Sequence, residues 1–245
     1  MTKKECSEFV LKSIRETFES SGWKKKNTHN TDINFEKKNA DGNIFGMYMS
    51  FIDYNPIYIT RFAFYLQHKN ILNICSEIGK SIELSPLITN ETMTLAFGFS
   101  SFNDILNDQY MPRMKTEEEF NLSCNKVIEF TLNEAFPFLE KMNDLKMVNK
   151  EVNSSESFWT HDISKKFNFG GNDMIKRLII AKLVGGNSHL EEVVEGFIAV
   201  FQKPNSYVVG IKSESELRKI YSDQNNAIGF TINYLKSLPD LNNKL

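Results

Sequence analysis

The side chains able to do acid–base, nucleophilic or metal chemistry are few in this chain and far apart. Histidine occurs at His29, His68, His161 and His189. No two of them, and no histidine with a cysteine, stand at the short spacing that lets ligands share a zinc ion. No metal and no cofactor is therefore expected, and His189, in the first turn of a predicted helix, reads as a solvated surface residue. Cys6, Cys75 and Cys124 each fall on an apolar helical stripe, where cysteine packs as a small hydrophobe. The glycine doublets, Gly170-Gly171 and Gly185-Gly186, are not followed by the Gly-Lys-Ser/Thr that cradles phosphate. The first reads as a loop, and Gly185 as a helix stop. No catalytic residue is assigned.

Charged residues offer more. Arg61 interrupts an otherwise apolar strand, and a buried guanidinium there needs a carboxylate such as Asp53 or Glu36. The ordinary reading is a structural ion pair or an exposed sheet face; the sharper one is a residue that binds an anion or a partner. With Asp53 and His68 it also forms the nucleus of an alternative reading, a small enzyme with a dispersed site around Arg61. Carboxylates gather at Glu117 and Glu118, beside Glu119, and at Glu191, Glu192 and Glu195. Both sets sit in the first halves of predicted helices, where they offset the positive end of the helix dipole. An acidic helix surface also suits a basic partner, so these residues and Arg61 are the candidate partner-binding set. Trp23 beside Lys24, Lys25 and Lys26 has the look of a small nucleic-acid footprint, the weakest alternative.

Composition narrows the field. Lys and Arg total 29 against 31 Asp and Glu over 245 residues, a net charge of −2 that gives no general attraction for nucleic acid or anionic lipid. No run of about 20 apolar residues is present, so no membrane span is expected. The start, Met-Thr-Lys-Lys-Glu-Cys, lacks the apolar core of a signal peptide. Three widely separated cysteines suggest no disulfide framework. A cytoplasmic location is expected.

The elements that would position these residues follow from periodicity. Cys6, Phe9, Val10, Ile14 and Phe18 mark a helix over about 3–21, stopped by Gly22. A polar stretch follows the lysines. Strands are predicted around Ile33 and Phe35, over 43–53 and over 57–66, with an Asp41-Gly42 hairpin turn and an Asn55-Pro56 turn between them. The aromatic residues crowd here: Phe45, Tyr48, Phe51, Tyr54, Tyr58, Phe62, Phe64 and Tyr65. In the third strand Tyr58, Phe62, Phe64 and Leu66 are expected on one face, with Ile57, Ile59, Ala63 and Tyr65 on the other. A helix around 71–78, ended by Gly79, precedes a fourth strand at 93–99, where Gly98 permits a bulge. A short helix capped by Ser101 is predicted next. Thr116 and Glu119 form a capping box for a long helix that Pro137 should kink or end near Ala135. The stretch 149–157 reads as a linker. Helices over 172–184, from Ser188 with Glu191, and from Ser213 with Glu216 complete the chain.

The expectation is an α+β fold: an N-terminal antiparallel sheet of about four strands flanked by helices, over 1–148, then a mainly helical region over 158–245. The run from Phe18 through Gly22-Trp23-Lys24-Lys25-Lys26 to Ile33-Asn34-Phe35 resembles the opening of uncharacterised bacterial domain families. These share a helix, a Gly-aromatic-Lys-Lys turn and Phe-containing antiparallel strands. Ala135-Phe136-Pro137-Phe138-Leu139 is similar to their helix-ending proline. Members of such families are suspected to be immunity proteins paired with secreted toxins. The resemblance thus implies a non-enzymatic binding protein that covers a toxin's active site, with a protein partner and no catalytic residue.

Overall fold

A computed structural model of the chain describes residues 2–27, 31–53, 57–81, 95–98, 116–154, 173–201 and 213–240. It is α+β and divides into two compact units that interleave along the chain. The first holds residues 1–68, 95–142 and 165–168; the second holds 69–94, 143–164 and 169–245. The division does not run from one end to the other at 148/158. The helix at 69–81 belongs with the C-terminal helices.

The first unit begins with α1 (Lys3–Ser20). Thr2 caps it in a reciprocal box with Glu5, and Gly22 (φ 83°) turns the chain out of it. Five strands follow in simple antiparallel order: β1 (Lys24–Lys25), β2 (Ile33–Lys38), β3 (Ile44–Asp53), β4 (Ile57–Gln67) and β5 (Leu95–Gly98). The lysine run is thus not all loop, since Lys24 and Lys25 pair with Glu36 and Phe35 and make a short edge strand. The β2–β3 turn is the expected Asp-Gly turn, with Gly42 at φ 85° and the Asn39 side chain accepting from the Asn43 N–H at 2.9 Å.

Between Ser50 and Phe51 the β3–β4 register slips, because Ser50 faces Arg61 while Phe51 faces Ile59. Thr60 is the extra residue. Strict alternation through the third strand therefore fails, since a one-residue bulge reverses the parity of everything beyond it. The Asn55-Pro56 turn, Met93, Phe99, the helix after Ser101 and the Gly170-Gly171 loop lie outside the described residues.

The core of this unit is aromatic. Phe18 stacks on Phe35 (centroids 4.8 Å apart) and meets Phe136 edge-on at 5.5 Å. Trp23 lies flat on Phe136 at 4.7 Å, and Phe130 reaches Phe62 and Phe64. Phe120, Phe130 and Phe136 come from one long helical stretch. It runs through α3 (Glu117–Phe130), a wide π turn (Thr131–Ala135) and α4 (Phe136–Met142). The Thr116–Glu119 box is present, at 3.2 and 3.1 Å. Pro137 does not end the helix. Its ring would meet the carbonyl four residues back, and the turn before it widens so that the Phe136 N–H reaches back to the Thr131 carbonyl.

The second unit is helical: α2 (Lys69–Ser81), α5 (Leu145–Asn153), α6 (Asp173–Phe201), α7 (Glu214–Ser222) and α8 (Ala227–Ser237). Gly79 sits buried inside α2 and does not stop it. The expected linker is mostly helix: Asp144 caps α5, and its Val148 and Val152 are fully buried. The first half of α6 is enclosed all round, with Leu178, Ile179, Ile180 and Ala181 at 0% exposure. The helix breaks at Gly186 (φ 69°), one residue past the expected stop, so its two halves correspond to the two helices anticipated there. Ser213 caps α7, accepting from the Glu216 N–H at 3.3 Å. Periodicity missed α8, which Asn226 caps.

Gly46 on β3 lies beneath the ring of Tyr65 on β4, where an added Cβ would come 1.8 Å from the ring. Gly46→Ala is expected to destabilise the chain by about 2–3 kcal/mol through overpacking. Much of that loss should return in Gly46→Ala/Tyr65→Ala relative to Tyr65→Ala alone, and urea midpoints of the four proteins measure the coupling.

Candidate functional site

The structure distributes the candidate residues over both units. Arg61 lies on β4 opposite Ser50, next to the register slip, and Asp53 pairs with Ile57 at the far end of that hairpin. His68 follows the end of β4, about 20 Å of strand beyond Arg61. The backbone thus keeps Arg61 and His68 apart. Glu36, the other carboxylate expected for Arg61, accepts from Lys26 Nζ at 3.0 Å and from the Tyr65 hydroxyl at 3.0 Å. Burial first, and that carboxylate second, push the Tyr65 phenol up.

His68 is 7% exposed, and burial brings its imidazole down to about 4 against the weaker opposing pull of Asp41. The thiols are equally withdrawn. Burial pushes Cys6 up to about 12, helped by nearby Cys124, and raises Cys124 as well. A buried thiol held protonated is a poor nucleophile, in keeping with a packing role. Trp23, the aromatic half of the nucleic-acid footprint, is 3% exposed and spends its faces on Phe18 and Phe136. Its ring is not offered to a base.

Glu191 and Glu195 do come together. They border a groove of about 350 Å³ with Arg218 and Lys236, over Val194 and Ile232. The exposed acidic surface expected here is answered from within the unit. Arg218 grips both oxygens of Glu195 at 2.8 Å and donates Nε to Glu214, also at 2.8 Å. Lys236 meets Glu191 at 2.9 Å. Arg218 holds the Glu195 carboxyl below its usual range, fixing it as an anion unsuited to taking up protons near neutrality. Glu192 bonds His189 at 2.9 Å. His189 also reaches Asn149 on α5 at 2.9 Å, so it ties two helices together instead of lying free in solvent.

Glu117 and Glu118 are different. They are exposed at the start of α3, and no ion pair to either is seen among the described residues. Farther along that stretch stand Leu122 and Leu132, 56% and 43% exposed, the large apolar side chains left in water among the described residues. Glu129 and Glu134 are exposed between and beside them. Leu132 is the second residue of the π turn, between buried Thr131 and Ala135.

No family model, curated protein or solved structure matches this chain.

Sequence reasoning also passed over three cations. Lys176, Arg177 and Lys182 interrupt the apolar run 175–184 and are 0%, 2% and 2% exposed. Arg177 lies 4.9 Å over the Phe197 ring and donates to the Asn153 side chain at 3.2 Å. Lys182 donates to Asn187 at 2.7 Å and to Asp240 at 2.6 Å. The signal was present: a lysine in a helix apolar all round has no solvent face to occupy. Among the described residues no group of His, Cys, Asp or Glu is arranged to hold a metal, and no helix is long and apolar enough to cross a membrane.

His68 yields a pH test. Its pKa is depressed in the fold, so its contribution is whole above the unfolded value of about 6.5 and is lost as pH falls toward 4, by at most about 3 kcal/mol. Urea midpoints should show His68→Gln losing less stability than the parent between about pH 7 and pH 4.5. Equal losses would show that His68 is not the group being titrated.

Proposed function

We propose that this chain is a non-enzymatic binding protein, of the kind that neutralises a bacterial toxin by covering its active site or substrate path. The observation that supports this reading is the outer face of α3 and the π turn. Leu122 and Leu132 are exposed there beside Glu117, Glu118, Glu129 and Glu134. Ten residues of helix separate the two leucines by about 15 Å, a span that fits a protein surface better than a small ligand. Apolar anchors ringed by carboxylates suit a basic partner: the leucines supply buried area and the carboxylates steer the approach. The carboxylates of Glu36, Glu191, Glu192 and Glu195 are engaged within their own unit, whereas no ion pair to Glu117 or Glu118 is seen among the described residues. The resemblance of the opening segment to suspected immunity proteins points the same way.

The direct test pairs the chain with a toxin encoded beside its gene. Binding, and protection of cells that express the toxin, are expected; absence of both would remove the proposal. Leu122→Glu/Leu132→Glu is expected to weaken that binding by about 100-fold. Stability should change little, because both positions are exposed. Titration calorimetry and thermal melts separate the two effects.

A further inference from the structure

The break in α6 is closed by a residue from the other end of the second unit. Leu238 ends α8 with extended backbone (ψ 143°), and Pro239 prevents any return to helix. Asp240 then meets the Gly186 break. Its Oδ1 accepts from Lys182 Nζ at 2.6 Å and from the Asn187 N–H at 3.1 Å. That N–H belongs to the residue just after the break, so Asp240 caps the second half of α6 from a distant part of the chain. Gly186 is required for the approach. A Cβ there would stand 2.8 Å from the Asp240 carboxyl, and φ is +69°.

The two members of the ion pair are unequally placed. Lys182 is 2% exposed at its side chain and cannot leave, whereas the Asp240 side chain is 47% exposed. Water can therefore compete for Asp240 but not easily for Lys182. The residues just before Asp240 belong to α8, whose Ile232 and Lys236 border the groove, while Glu191 and Val194 border it from the second half of α6. The pair therefore ties together two of the helices that border that groove.

We infer that residues 238–240 form a releasable strap whose catch is the Asp240 carboxylate seated on Lys182 and Asn187, and that this catch sets the opening of the Glu191–Lys236 groove. With the catch closed, α8 is held to the second half of α6 and the groove is narrow. With it open, Lys182 keeps only the Asn187 side chain as a partner among the described residues, so the closed form is the resting one. Beside the catch, α8 is held by its buried Ile232 and Leu235, and the Glu191–Lys236 ion pair, exposed on both sides, adds little.

Hydrogen exchange on the full-length chain tests this. Asp240→Asn keeps the shape and removes the charge. It is expected to speed exchange about 10-fold at the amides of 187–190 and 227–237, leaving α2 and α5 at the parent rate. Asp240→Ala should behave alike, with formate, a free carboxylate of the same chemistry, slowing those amides again more than chloride does. Unchanged exchange in Asp240→Asn would overturn the strap. So would acceleration spread equally over α2 and α5, or formate acting no better than chloride.

Discussion

An ammonium withdrawn from water must be answered by hydrogen-bond acceptors, and in the second unit that demand organises a large part of the chain. Lys182 lies in the first half of α6, which is enclosed all round, so no rotation of the helix could have returned it to solvent. Its answer comes from Asn187, five residues on, and Asp240, fifty-eight residues on. A contact of that sequence separation joins distant parts of the chain, the α6 break and the residues that follow α8. Removing one member of a buried pair typically costs more than the pair is worth, because the remaining charge is stranded. The half-exposed carboxylate softens that cost here. Arg177 solves the same problem differently, lying against the Phe197 ring and an asparagine.

The first unit rests on aromatic packing instead of charge. Phe18, Trp23, Phe35 and Phe136 come from a helix, a turn, a strand and a second helix, and their rings meet at 4.7 to 5.7 Å. Each pair adds a modest preference for its geometry to the area it buries. Four elements held at one point leave little freedom in how α1 and α4 cross the sheet. Tyr65 serves the scaffold too, laid over Gly46 so that its hydroxyl reaches Glu36 two strands away.

Much of this could be read directly from the residues. The α1 stripe, the Asp41-Gly42 turn, the paired strands and the Thr116–Glu119 box are local patterns, and local patterns survive folding. Three kinds of feature did not show. The π turn and the bulge at Thr60 each shift a period by one residue, so the residues beyond them change faces without any change in composition. Helices α5 and α8 were hidden because Asn-rich stretches look like loops until the capping role of Asp144 or Asn226 is recognised. The candidate carboxylates Glu191 and Glu195 looked free because their partners, Lys236 and Arg218, arrive from other helices. Distance in sequence is what concealed them. The same blindness applied to Lys182 and Asp240.

The wide turn ahead of Pro137 acts as a phase adjuster for the helix that follows. A segment with five residues where four would complete a turn delays every later side chain by roughly 100° of rotation. Phe136 faces Trp23 only because that delay is present. Shortening 131–135 by one residue would give a more regular helix on paper, yet it would swing Phe136 off the indole. In this chain an irregular backbone is what allows a regular aromatic stack.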